Sequence, residues 1–251
     1  MSDFPPALQA YLDALTAKQQ RLAGMQPLPP ELVRSLEHKL RIELTHASNA
    51  IEGNTLTLRE TQLLIDEGIT PAGSKSLREI HEAINHNEAV KLLYTKAQQT
   101  EPVSERDILD LHAVVLKNID DNWAGRYRNM RVFVTGSPLI PPNPQKVPTL
   151  MAEFIEWLAK EKAHPVKLAA DAHYRLAKVH PFVDGNGRTA RLLMNLILLK
   201  HQYPLSVIQS ERRAEYITAM DEGDRGNFTP FYQVIFQAVE RSLDLYLGTD
   251  E

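Results

Sequence analysis

Residues 192–199 read LLMNLILL, and a helix built on them has no polar side. Leaving such a helix in water costs roughly 25 cal/mol for each Å² of apolar surface, so it must sit in the middle of a domain. The run is interrupted by Asn195 and falls well short of the roughly 20 residues needed to cross a bilayer. The rest of the chain therefore has to supply the elements that surround it.

Those elements read as helices. ALQAYLDALTAKQQRLAG is a helix stopped at Gly24, and QPLPP is a break. Leu32, Leu36, Leu40 and Leu44 recur every fourth position and form one stripe of a helix over 31–51, with Gly53 left-handed after it. Thr57 and Glu60 make a capping box. Residues 76–98 and 104–118 are two further helices, the second capped by Ser104 and Asp107. Helices over 147–162, 166–179 and 188–201 follow, and a last one or two start near Pro230. One stretch departs from the pattern: RVFVTGSPLI, residues 131–140, predicts a small β-hairpin or extended flap before the prolines. The fold class is thus all-α, a helical bundle around a central buried helix with that flap.

The 251 residues are 43% hydrophobic and 24% charged with a net charge of -4, which gives no basis for bulk binding to nucleic acid or to an anionic membrane. No cysteine is present, excluding disulfides, cysteine-ligated zinc and thiol nucleophiles. MSDFPPALQA lacks the features of a secretion leader, so a cytoplasmic location is the expectation.

The chemistry is concentrated just before the apolar run, in HPFVDGNGRTAR from His180 to Arg191. A helix start directed out of a core offers unpaired N–H groups and a positive dipole end to an anion. Gly185 and Gly187 admit a phosphate close to the backbone, and Asn186 offers a side-chain amide. Arg188 and Arg191 project from one face of the first turn. Two cations there oppose the dipole by about 0.3–1 kcal/mol each, and an anion between them relieves that. Asp184 is a hard oxygen ligand suited to Mg²⁺, and His180 a base for neutral pH. The plain alternative makes Asp184 a cap, the glycines a loop and His180 a packing residue.

HPFVDGNGRTAR resembles the signature of the Fic family at every position, and similarity extends over roughly 102–238. Residues 1–101 would then be an N-terminal helical region and 239–251 a helix end and tail. The resemblance implies an adenylyltransferase with ATP as substrate, moving AMP to a Ser, Thr or Tyr hydroxyl of a target protein or of itself. His180 would deprotonate that hydroxyl. Asp184 would hold Mg²⁺ (or Mn²⁺) across the α- and β-phosphates. Gly185, Asn186 and Gly187 would cradle phosphates, with Arg188 and Arg191 on the outer ones. Val134, Thr135, Gly136 and Ser137 would line the site as the flap and pair with the target's main chain. The adenine end is more open. Relatives often carry two tyrosines where this chain has Tyr216 and Ile217, and often an asparagine near Asp224.

SNAIEGNTLT, from Ser48, puts Glu52 in the last turn of a helix, where the dipole disfavours a carboxylate. The segment resembles the inhibitory motif of the same family, here Ser48, Glu52 and Gly53. By that resemblance Glu52 pairs with Arg191 and withholds it from the γ-phosphate, so the enzyme is auto-inhibited; Glu52 could also orient a water that removes AMP.

Other readings are weaker. GNGRTA fits a dinucleotide fingerprint, but a helix end and not a strand precedes it. HEAINH spaces His81 and His86 five apart, where a zincin needs four, so both are expected at the surface or as caps. A Fic-fold binding or regulatory module without turnover, or an enzyme transferring another nucleotide or phospho-ester, remains the serious alternative. No residue singles out a homodimer or a self-modification site.

Overall fold

The computed structural model describes residues 4–71, 73, 75–134 and 139–249. Among them all regular structure is helical. The elements are α1 (Pro6–Gly24), α2 (Pro30–Ile51), α3 (Leu58–Glu67), α4 (Leu77–Ala97), α5 (Glu105–Leu116), α6 (Val147–Lys160), α7 (Pro165–Val179), α8 (Asn186–Lys200), α9 (Arg213–Asp224) and α10 (Thr229–Leu247), with short 3₁₀ turns before α6 and α9.

The apolar helix α8 is central. Every residue from Leu192 to Leu198 is buried, Asn195 among them. Asn195 is satisfied where it lies: its amide donates to the carbonyls of Arg191 and Ser206, and its oxygen accepts from the Ser206 N–H. Helices α7, α4, α5 and α2 pack around α8, while α1 lies on α10 at the periphery. One continuous core runs from Leu8 to Leu247, and Leu56, Leu64, Ile80 and Ala83 form a satellite beneath α3. No helix among the described residues is long and apolar enough to cross a membrane.

The capping boxes at Thr57–Glu60 and Ser104–Asp107 are both formed, and each ties its helix start with reciprocal hydrogen bonds. Pro230 lies in the first turn of α10, and Gly53 has φ 100° just past α2. Helix α6 stops two residues earlier than expected, at Lys160.

Three expectations are corrected. A four-residue repeat advances 400° around a helix of 3.6 residues per turn, so the α2 stripe precesses. Leu40 and Leu44 are buried while Leu32 is 41% exposed. Secondly, His86 is neither a surface residue nor a cap but lies fully buried in the middle of α4. Thirdly, no hairpin strand is present among the described residues of the flap: 131–134 and 139–143 are irregular. Pro141 and Pro142 have no N–H to give a ladder. The buried Arg128 guanidinium joins the two sides instead, donating to the Met130 carbonyl at 3.1 Å and the Pro142 carbonyl at 2.7 Å. Thr135, Gly136 and Ser137 lie outside the described residues.

Candidate active site

The turn between α7 and α8 carries the site. α7 ends with its cap at His180, whose φ of 48° is left-handed, a conformation that costs a non-glycine residue about 1–3 kcal/mol unless its surroundings hold it. Three contacts hold it. The His180 N–H donates to the Leu176 carbonyl at 3.0 Å. Arg128 Nε donates to the His180 carbonyl at 2.7 Å, and the Arg128 N–H donates to the Pro181 carbonyl at 2.9 Å. The imidazole is oriented by Nδ1, which lies 3.2 Å from the Ala177 carbonyl. Since a carbonyl only accepts, Nδ1 carries the proton and Nε2 keeps its lone pair. Burial is the largest influence on this ring and lowers its pKa, so it is neutral at pH 7.

The loop from 181 to 185 is fixed from beneath by His112. This buried ring stacks on Phe182 at 3.6 Å, donates from Nε2 to the Asp184 carbonyl at 2.9 Å, and accepts the Gly125 N–H at Nδ1, 3.0 Å away. Burial pushes its pKa down to about 4, so the ring stays neutral. Asn186 clasps the same loop. Its Oδ1 accepts from the Phe182 N–H and its Nδ2 donates to the Phe182 carbonyl, both at 2.9 Å. One of the two amide protons is thus committed to the backbone, and the other remains for a ligand. Gly185, with φ 75°, caps α8 in a conformation that side chains resist.

Asp184 reaches the cleft. Burial works against its charge, but Arg188, the Gly185 N–H and Arg78 outweigh that and hold it below the usual carboxylate range. One oxygen is 3.2 Å from Arg188, and the other is paired with Arg78. Arg188 is buried and also 3.3 Å from Glu82, yet its Nε and one terminal nitrogen lack a hydrogen-bond acceptor.

Glu52, the residue after α2, faces the start of α8. Its carboxylate is 2.7 Å from the buried guanidinium of Arg191. Arg191 also donates from Nε to the Ser48 hydroxyl at 2.9 Å and from Nη2 to the Ser48 carbonyl at 2.8 Å. A side chain at Gly187 would leave its Cβ only 2.2 Å from the Glu52 carboxylate, so this approach needs a glycine there. Arg213 donates to the Ile51 carbonyl at 2.7 Å, placing a cation at the α2 terminus that offsets the unfavourable position of Glu52.

Two connected cavities meet at this point. The polar one is lined by Arg78, Glu82 and residues 183–188. The other is more apolar and runs along Ala177, Val134, Leu139, Ile217 and Met220. His180, Glu52, Gly187 and Arg213 border both. Tyr216 lies at the floor of the apolar cavity and is nearly fully buried, whereas Ile217 lines its wall. Asp224 is at its rim, held by Lys178 at 2.7 Å and by Tyr174. Arg128, His112, Arg78, Glu82 and Arg213 were not anticipated. No motif marks them, because each acts on backbone or on a partner distant in sequence.

Fold and site together define an all-helical protein whose buried central helix opens its amino end into a cleft, with a glutamate across the entrance. Residues 102–198 match the Fic/DOC family. The chain is 36% identical over 245 residues to the protein adenylyltransferase Fic of Nematostella vectensis, covering 96% of this chain and 56% of that protein. Against the Drosophila melanogaster protein of the same name it is 36% identical over 239 residues, with coverages of 94% and 48%. Among solved structures, Fic-1 of C. elegans superposes with a TM-score of 0.87 at 32% identity, over 96% of this chain and 72% of that one. A Fic domain containing signaling protein from Bacteroides thetaiotaomicron gives 0.82 at 30% identity, over 95% and 98%. This chain belongs to the Fic family. It spans about half the length of the curated relatives it matches.

Proposed function

We propose that this chain is an auto-inhibited protein adenylyltransferase. The observation that carries the reading is the 2.7 Å ion pair between Glu52 and Arg191, set between the general-base candidate His180 and the amino end of α8. The relatives named as protein adenylyltransferases support the chemistry.

ATP would lie with its base along Ile217 and Met220 and its phosphates over the N–H groups of α8. His180 Nε2 takes the proton of an incoming hydroxyl. The oxygen forms a bond to the α-phosphorus, the bond to the bridging oxygen breaks, and pyrophosphate leaves. The donor set fits a metal: one ionised carboxylate facing a phosphate cradle is how Mg²⁺ is usually held, with phosphate oxygens and waters completing the shell. Asp184 would hold Mg²⁺ or Mn²⁺, which offsets phosphate charge when bound. A protein acceptor is supported by Phe133 and Ile140, apolar and more than four-fifths exposed on either side of the flap.

Glu52→Gly should produce ATP-dependent labelling of the protein or an added acceptor, read by intact mass as an added AMP. His180→Ala in that background should abolish it. Unchanged labelling after Glu52→Gly would overturn auto-inhibition, and persistence in the His180→Ala variant would overturn the base.

A further inference from the structure

Arg191 carries a buried charge whose hydrogen bonds to Ser48 and Glu52 all come from the α2 side. If Glu52 withdraws, the guanidinium needs another partner to keep its aim. The opposite side provides one. Arg191 and Tyr216 line the same cavity, close enough for the hydroxyl and the guanidinium to act on each other electrostatically. That hydroxyl is 3.0 Å from Nε2 of His173 on α7. All three side chains are buried, and the His173 ring stacks on Phe231 with centroids 5.4 Å apart.

Proton placement follows from the donor inventory. A guanidinium only donates, so toward Arg191 the Tyr216 oxygen can only accept, which leaves its single proton for His173 Nε2, 3.0 Å away. His173 then carries its own proton on Nδ1, and Nδ1 is buried with no hydrogen-bond partner. A fold tolerates such an orphan when the other nitrogen is committed. The arrangement is also electrically neutral. Burial, with the Arg191 charge, pushes His173 down to about 3, and burial raises Tyr216, so neither ionises near neutral pH. Glu52 cancels the charge of Arg191. Tyr216 and His173 aim the guanidinium and leave its charge unspent.

We propose that Tyr216 and His173 are positioning residues for Arg191, holding it toward the outermost phosphate once Glu52 has moved, and that Tyr216 is not a base contact. The proposal rests on the reading above, in which Arg191 serves the γ-phosphate.

The experiment compares binding of ATP and ADP, each with Mg²⁺, by calorimetry in the Glu52→Gly background. Arg191→Ala should erase the preference for ATP. If it does not, the underlying reading falls and the proposal with it. Given that loss, Tyr216→Phe should weaken ATP roughly tenfold, the scale of one hydrogen bond to a charged group, and leave ADP within about twofold. His173→Phe should move ATP in the same direction, while His173→Gln, which returns an acceptor near the Nε2 position, should restore it. Equal weakening of both nucleotides by Tyr216→Phe means a base contact or general damage and overturns the proposal, as does no change in either. If Tyr216→Phe fails to fold by circular dichroism, the two His173 variants decide. Identical ATP and ADP affinities for both would then overturn the proposal.

Discussion

Glu52 and Arg191 lie 139 residues apart in the chain, yet their side chains meet at 2.7 Å across the start of the central helix. The pair is unequal: the arginine is almost wholly enclosed, and the glutamate is 40% exposed. Removing the arginine would leave a carboxylate that water already reaches. Removing the glutamate leaves a buried cation, the costlier of the two vacancies. The open state thus has a built-in demand for an anion.

Ser48 shares the hold on Arg191 through its hydroxyl. A hydrogen bond to a charged group contributes about 1.5–3 kcal/mol. Ser48→Ala should loosen the α2 lock without opening it, because the Ser48 carbonyl and Glu52 remain in place. Initial labelling rates should fall between those of the parent protein and Glu52→Gly. A rate equal to the parent would remove the hydroxyl from the lock.

Gly187→Ala should cost stability only while Glu52 is present. The added methyl would push aside the carboxylate, the end of a flexible side chain, at the cost of its hydrogen bond to Arg191, about 1.5–3 kcal/mol at most. In the Glu52→Gly background most of that cost should disappear, since position 187 is ordinary helix. Urea unfolding of the two single variants and the double one measures the coupling. Additive effects would contradict the collision.

The transfer reaction should survive mild acid. His180 must be neutral to accept a proton, and its pKa is held below the ordinary 6.5, chiefly by burial. Activity of the Glu52→Gly variant should therefore fall as pH drops through a value under 6.5. Because the charge of Glu52 raises the His180 pKa, its removal shifts that limb lower still. The pH profile of kcat/KM reports the value for the free enzyme. An acidic limb above 6.5 would contradict the assignment.

Stability should fall over the same range for a different reason. His86 and His173 sit near a pKa of about 3 and His112 near 4, all chiefly through burial. In the unfolded chain each takes up a proton around 6.5. Below 6.5 the unfolded state binds more protons, so folding stability declines as pH falls, by about 1.4 kcal/mol per unit for each ring until its folded pKa is reached. Urea midpoints at pH 7, 6 and 5 should drop with increasing steepness, and His112→Phe should flatten the slope.

The helical pattern and the chemistry before α8 were readable because both are local. Periodicity marks a helix face, and His180, Asp184 and Arg191 fall within twelve consecutive residues. What escaped was non-local. The partnership of Arg128 with His180, 52 residues away, and of His112 with Asp184, 72 away, depends on how α5 and the loop after it fold against α8 and the turn before it. His86 was misplaced because a lone histidine on a mixed helix gives no sign of which face is buried. For the flap, β-branched residues signal an extended backbone but not a partner strand, and the described residues 131–134 and 139–140 form none. The side chain of Arg128 ties the backbone at Met130 to that at Pro142.

The way α8 is enclosed divides the labour of any transition. With Leu192 through Leu198 packed on all sides, that helix can neither tilt nor slide without opening the whole interior. It is the fixed jaw of a vice. On the proposed auto-inhibited reading the moving jaw is α2, which ends just before Glu52 and whose first turns carry exposed side chains such as Leu32. A weak binder gripping those outlying turns would thus have mechanical leverage on the chemistry without ever touching the cleft.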